Sequence, residues 1–525
     1  MRWREMVVFV LFLGGATVFT YPLVRDIRTA TKDHHDPLLD AWALAWVAHQ
    51  LPRDPVHLFD SNRFYPEKGT LAFNDPMVGL GILTAPVAWV FGDALLTLNL
   101  ATLCAFAFSG YGAYRLGWHL TGSRVAGAVA GSVFAFDAYR LNHLAHIQLQ
   151  NAGFIPLLYL CLRRYLEEGK LRYAVGVAVF LWFVCASSAY YGIFTWILLG
   201  VAIPYELFRT RTAVDRRRVV GLGLALLLAG LAFLPLALPF MRLSDDFGLS
   251  RPTSRLQRAS ARPGDYLRSG SHLHQALGLK PPSAERTLFP GILAIGLALL
   301  AIARLNRASG LYLILAIVAA WASLGPAWGL YRVLHAVIPG LDGVRVPPRF
   351  AIYVFFAMAI LAAYGAALVL KRFPSRALGA ALVLFPLVES VGPTHYTHAP
   401  PIPAVYGWLS EIPGSVPVVE LPLPPPKRDR ENAIYLYWST THFKPLANGY
   451  GTVVPPVYAE IFEACDPVPD EAAIVLLKRL GFRYVILHRD LYLRDRAAEM
   501  ERQLNALTAL KRVHRTENET VYELS

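Results

Sequence analysis

The 525-residue sequence gathers its acids and cations into a few compact clusters. In TKDHHDPLLDAWALAWVAHQL (31–51), Asp36 and Asp40 stand four residues apart, a spacing that sets both on nearby faces of a helix. Pro37 suits the first helical position, which makes Asp36 the N-cap. One reading stops there, with Trp42 and Trp46 as an aromatic anchor at a membrane interface. The other takes a carboxyl whose pKa is raised by a low-dielectric site, suited to general-base work on a hydroxyl. Downstream, RFYPEKGTLAFNDP (63–76) offers Glu67, Asn74 and Asp75. A second acid there could share a metal or position an acceptor, while Asn74-Asp75-Pro76 is also an ordinary turn.

The basic clusters suggest anion binding. FDAYRLNHLAHIQLQN (136–151) spaces Arg140, His143 and His146 at three-residue intervals, so one helical face could present all three. A His-x-x-His pair can ligate a metal only with further ligands, and polar side chains at an interface explain it equally well. Arg251, Arg255, Arg258 and Arg262 fall at i, i+4, i+7 and i+11, one stripe of a helix, and no acid interrupts 247–264. Such a stripe would take phosphate oxygens in bidentate hydrogen bonds, or rest on anionic lipid headgroups. Arg345 and Arg349 bracket the Pro-Pro turn of GVRVPPRFAIY (343–353). A cation there could stabilise charge on a departing phosphate, or simply snorkel to the membrane surface.

Membrane helices must position these residues. The chain is 55% hydrophobic and 17% charged, with a mean hydropathy of +0.39, whereas a soluble protein carries about 25% charged residues. The apolar residues are concentrated between Met6 and Val391. A net charge of +13 could indicate nucleic acid, but the cations sit in short connections between apolar runs, where the positive-inside rule puts them. Cys104, Cys161 and Cys185 lie within apolar runs and Cys465 has no evident partner, so no disulfide framework is expected. Arg2 and Arg4 precede a stretch, Met6 to Leu23, that is long for a signal peptide and reads as an uncleaved first span.

About eleven spans follow from the roughly 20 apolar residues a crossing needs. They run approximately 6–24, 94–116, 124–139, 150–163, 171–187, 190–208, 217–240, 287–304, 309–325, 349–370 and 376–392. Basic connections at 115–124, 163–172, 209–218, 304–307 and 371–376 then share the side of Arg2 and Arg4, which places the N-terminus in the cytoplasm. Residues 77–92 would break this count and read as a helix lying at the outer interface, with a twelfth span as the alternative. Residues 1–392 thus form a membrane domain with outer loops at 25–93 and 241–286. The tail, 393–525, reads as a small extracytoplasmic α/β domain with strands at 416–423, 482–488 and 520–523 and helices at 470–480 and 495–511.

With these pieces the chain resembles the GT-C superfamily of integral membrane glycosyltransferases, which includes protein O-mannosyltransferases and lipid A aminoarabinose transferases. That superfamily carries an acid in the first outer loop, an interfacial helix before span two, and often a terminal soluble domain. The counterparts here are Asp36 and Asp40 in HHDPLLDAW, residues 77–92 and the tail. The chain also looks like a broad set of bacterial GT-C-like proteins in DPLLDAWALAW (36–46), FYPEKGTLAF (64–73), LTGSR (120–124), YRLNHLAHIQ (139–148), VRVPPRF (344–350), ELPLP (420–424) and KPLANGY (444–450). It departs from the pattern at His35, where related sequences tend to show glycine, and lacks a paired acid directly at the end of span one.

The resemblance implies a polytopic α-helical membrane enzyme of the cell inner membrane, with its chemistry on the extracytoplasmic face. It implies a polyprenyl-phosphate sugar as donor and membrane lipid as a partner, no nucleic acid, no certain cofactor and a possible divalent metal. Asp36, with Asp40, would deprotonate an acceptor hydroxyl that attacks the anomeric carbon with inversion. Arg345, Arg349 or the 251–262 stripe would hold the departing phosphate, with Asp75, Arg140, His143 and His146 as further substrate contacts. The alternative is a non-enzymatic envelope protein that binds or exports lipid-linked glycans.

Overall fold

A computed structural model describes residues 3–210, 215–248, 253–338 and 340–525. The chain divides into two compact units, each assembled from distant pieces of sequence. The first holds 1–27, 99–238 and 244–395, and the second holds 28–98, 239–243 and 396–525.

Helices lie at each of the eleven expected spans: Trp3–Phe19, Ala94–Thr121, Arg124–Ala135, Phe154–Glu168, Leu171–Ser187, Ala189–Thr210, Arg216–Phe247, Ile292–Ala303, Gly310–Ser323, Ala351–Arg372 and Arg376–Ser390. Among the described residues, four helical stretches are long and apolar enough to cross a membrane: Ala94–Thr121, Ala189–Thr210, Arg216–Phe247 and Pro347–Arg372. Ala351–Arg372 is the centre of the first unit. It is apolar on every side and packs against Ile292–Ala303, Arg124–Ala135 and Gly310–Ser323. Arg216–Phe247 is the opposite case, with Leu224, Leu227, Leu228, Leu231 and Leu234 all exposed, the surface expected of a helix that faces lipid.

Small residues set the close approaches. A Cβ on Gly127 would lie 2.6 Å from the Tyr114 carbonyl oxygen and 2.9 Å from the Trp118 nitrogen, both backbone atoms that cannot turn aside. Glycine there lets Arg124–Ala135 press against Ala94–Thr121, as small residues do between membrane helices. Gly365 meets the Leu297 carbonyl in the same way.

The second unit is α/β. Strand β1 (Ala30–Thr31) pairs antiparallel with β2 (Thr397–His398). A four-stranded sheet holds β3 (Val418–Leu421), β4 (Tyr484–His488), β5 (Leu510–Arg515) and β6 (Glu519–Leu524) in the order β3-β4-β6-β5. β3 and β4 run parallel, and β6 runs antiparallel to both β4 and β5. Asp470 caps the helix Glu471–Arg479, its side chain accepting from the Ala473 amide at 2.8 Å. The later helix, Arg494–Ala506, stops short of the expected residue 511, because Leu510 onward pairs with β6 as strand β5.

Residues 28–98 belong to this unit. Helix Asp36–Gln50 buries every residue from Pro37 to Ala48 and packs against helices Val78–Phe91 and Ala433–Ser439. Val78–Phe91, the segment expected at an interface, has 14 residues and rises about 21 Å, short of the roughly 30 Å hydrocarbon layer. One of its faces lies against Asp36–Gln50, while Leu83, Trp89, Val90 and Phe91 are exposed.

Gly127→Ala should therefore cost about 1–3 kcal/mol in denaturant unfolding of the detergent-solubilised chain. Gly200→Ala, whose Cβ meets nothing within 4 Å, should be neutral or stabilising by up to about 1 kcal/mol. Equal effects at the two positions would contradict the packing described.

Candidate active site

The acidic helix is fixed through a chain of polar contacts within the second unit. His35 is the cap residue and Asp36 the first helical one, so Asp36 does not serve as the N-cap that Pro37 suggests. The Asp36 carboxylate is half-buried and accepts a 2.5 Å hydrogen bond from the Tyr450 hydroxyl. The Tyr450 carbonyl in turn accepts from Arg63 Nη1. Arg63 is fully buried, donates to the Thr70 carbonyl and to Asn74 Oδ1 at 2.9 Å, and lies 4.8 Å over the Trp42 ring. Burial lowers its pKa to about 9, against the opposing pull of Asp429 and Tyr450. Burial also raises the Asp429 carboxyl, which accepts from the Gly451 amide at 3.0 Å. Trp42 adds a hydrogen bond from Nε1 to Asn62 Oδ1 at 2.9 Å.

Asp36 therefore sits at the end of a rigid helix with its carboxylate oriented by a phenol. Asp40 is on the same helix and buried, and Asp75 is half-buried beside Asn74. A carboxylate held on a rigid element is what proton abstraction from a hydroxyl requires. Tyr450 and Arg63 were not singled out from the sequence. Tyr450 closes KPLANGY, and that motif was its one visible sign.

A second cluster stands in the first unit. Arg349 Nε and Nη2 approach Glu285 Oε1 at 3.1 and 2.6 Å, and the guanidinium lies 4.8 Å over the Tyr190 ring. Buried His143 donates from Nδ1 to the Tyr139 carbonyl at 2.7 Å and faces Glu285 Oε2 with Nε2 at 3.1 Å. Burial opposes ionisation of Glu285, but the charges of Arg349 and His143 outweigh it and hold the carboxyl well below the usual range. Glu285 was also missed from sequence, although it is the sole acid between Asp265 and Asp342.

The other expected contacts divide by exposure. Arg140 is fully buried, packs 4.5 Å over the Phe106 ring and donates to the carbonyls of Gln150, Phe134 and Ala135, which makes it an internal strut. His146 is half-buried, its ring 6.3 Å from that of His143. Arg255 and Arg258 are exposed on the short helix Thr253–Ala259. Arg262 is exposed beyond the end of that helix, so the stripe is not one continuous helical face. Arg251 lies outside the described residues. Arg345 is exposed, and its backbone amide donates to the Tyr190 hydroxyl at 3.0 Å.

Replacing Arg349 with Met should cost about 1–3 kcal/mol in unfolding experiments, since it strands a half-buried carboxylate. Adding Glu285→Gln should recover more than half of that loss. The low carboxyl pKa keeps the wild-type pair intact from pH 8 to pH 5, so its contribution should be flat there. In Arg349→Met, burial opposes ionisation with only His143 left to offset it, so the deficit should shrink as the pH falls. An additive double variant would contradict the pairing.

No protein-family model matches the sequence, and no curated protein matches it. The chain is similar to several solved structures over nearly its whole length. One is the apo oligosaccharyltransferase of Archaeoglobus fulgidus, 13% identical with a TM-score of 0.48, the match covering 93% of this chain and 70% of that one. Another is archaeal oligosaccharyltransferase AglB from Archaeoglobus fulgidus in complex with an inhibitory peptide and a dolichol-phosphate, 14% identical with a TM-score of 0.43 and the same coverage. A third is ArnT from Cupriavidus metallidurans bound to undecaprenyl phosphate, 14% identical with a TM-score of 0.37, covering 100% of this chain and 99% of that one. These neighbours, AglB and ArnT, are GT-C superfamily membrane glycosyltransferases.

Proposed function

We propose that the chain is a membrane glycosyltransferase that moves a sugar from a polyprenyl-phosphate donor to an acceptor hydroxyl on the extracytoplasmic face of the cell inner membrane. The observation that carries this reading is Asp36, a carboxylate at the start of a buried helix, oriented by the Tyr450 hydroxyl. The sequence resemblance supports it independently.

In this mechanism the Asp36 carboxylate takes the proton of the acceptor hydroxyl as the oxygen attacks the anomeric carbon. The bond from that carbon to the phosphate oxygen breaks with inversion, and the electron pair leaves on the polyprenyl phosphate. Asp40 is the second carboxylate of the site and Asp75 a contact for the acceptor. Arg255, Arg258, Arg262 and Arg345 are exposed cations of the first unit, able to take phosphate oxygens of a lipid in charge-assisted hydrogen bonds. Arg349 is occupied by Glu285 and Arg140 by backbone carbonyls, so both act through positioning, as His143 does.

The test is complementation of a deletion strain, read by mass spectrometry of envelope glycans and glycolipids. Asp36→Asn should reduce the modified species by about 10²–10⁴-fold in rate, the range of general-base catalysis. Tyr450→Phe, which removes one hydrogen bond to a charged group, should cost about tenfold or more. Wild-type levels of product with correctly inserted Asp36→Asn would rule out the proposed base.

A further inference from the structure

His488, the last residue of β4, is fully buried, its imidazole bounded by the rings of Tyr406, Tyr435 and Trp438. Nε2 lies 2.7 Å from Oε2 of Glu420, which is fully buried on β3, and the Tyr406 hydroxyl donates to that same oxygen. The other ring nitrogen, Nδ1, has no hydrogen-bond partner. An imidazole fixed this way by a carboxylate at one nitrogen presents a lone pair at the other, the arrangement that orients histidine ligands of metal ions.

Two carboxylates are within reach of that ring. A ring nitrogen of His488 and carboxylate oxygens of Asp490 and Glu519 all lie within 4.8 Å of one another. The sheet register explains the meeting, since His488 stands opposite Glu519 in the β4–β6 pair. Glu519 is buried and takes the Thr516 hydroxyl on Oε2. Asp490 is exposed in the short turn Arg489–Leu491. The adjacent cation is directed elsewhere: the Arg489 guanidinium bonds the carbonyls of Thr516, Glu517 and Asn518 and approaches Glu501 at 3.5 Å.

We propose that His488 Nδ1, Asp490 and Glu519 form a binding site for a divalent transition-metal ion, with Glu420 as the carboxylate that fixes the imidazole. One nitrogen and two carboxylate donors suit Zn²⁺ or Mn²⁺. Ligand bonds of about 2.0–2.2 Å need the three donors drawn together, and Asp490, exposed on its turn, is the one that moves. The bound ion ties the turn after β4 to the start of β6. Its ligands are separate from the residues proposed for sugar transfer.

The test uses the full chain in detergent, stripped with chelator, desalted and equilibrated with Zn²⁺. Metal content after gel filtration, titration calorimetry and Tm are then measured on wild type and variants. Wild type should retain about one equivalent more Zn²⁺ than Asp490→Asn, and Zn²⁺ should raise its Tm. Asp490→Asn alters an exposed side chain, so it should fold normally while losing at least tenfold in affinity and most of the Tm rise. His488→Gln should remove the same equivalent. Zn²⁺ retention and Tm response equal in wild type, Asp490→Asn and His488→Gln, or absent from all three, would overturn the proposal.

Discussion

Arg63 is wholly buried, with its guanidinium against the Trp42 ring and its donors directed at the carbonyls of Thr70 and Tyr450 and the amide oxygen of Asn74. An uncompensated cation in such a place would cost several kcal/mol, so these acceptors must all be present for the unit to form. They come from the segment after the acidic helix and from the tail, while that helix supplies the Trp42 ring, and the Arg63–Tyr450 contact joins residues 387 apart in the chain. A pKa of about 9 leaves the guanidinium charged at neutral pH. Tyr450 is held by its carbonyl on Arg63 and by its hydroxyl on Asp36, so the same cation that assembles the unit also orients the candidate base.

The first unit solves a different problem. Most of its helices meet through apolar and small side chains, and several of its charged side chains sit in paired sites. Glu285 with Arg349 and His143 is one, and His274 with Glu389 at 2.9 Å, both buried, is another. Removing one member of such a pair leaves the other in a medium that cannot solvate it. That makes these pairs fixed points between helices and loops, and it explains why Arg349, attractive in sequence as a phosphate ligand, is already engaged.

Local features were the legible ones. Apolar runs marked the helices, Asp470 and Gly481 marked the ends of a tail helix, and the Asp36–Asp40 spacing with Pro37 marked the acidic helix. What escaped depends on contacts between distant segments. Nothing near Arg63 in the sequence shows that its partner is the carbonyl of Tyr450, 387 residues away. Glu285 takes its role from Arg349 and His143, 64 and 142 residues away in the chain, which no local pattern connects to it. The arginine spacing is helical only if the segment is a helix, and the helix there ends at Ala259, before Arg262.

The proposed reaction is transfer of a sugar from a lipid phosphate with inversion. It is tested most directly by giving the purified chain in nanodiscs ¹³C-labelled donor lipids from the native membrane and following the anomeric carbon by NMR. The expected product is a new glycosidic bond whose anomeric configuration is opposite to that of the donor, with release of polyprenyl phosphate. A product that retains the donor configuration, or donor lipids that bind and remain unchanged, would contradict it.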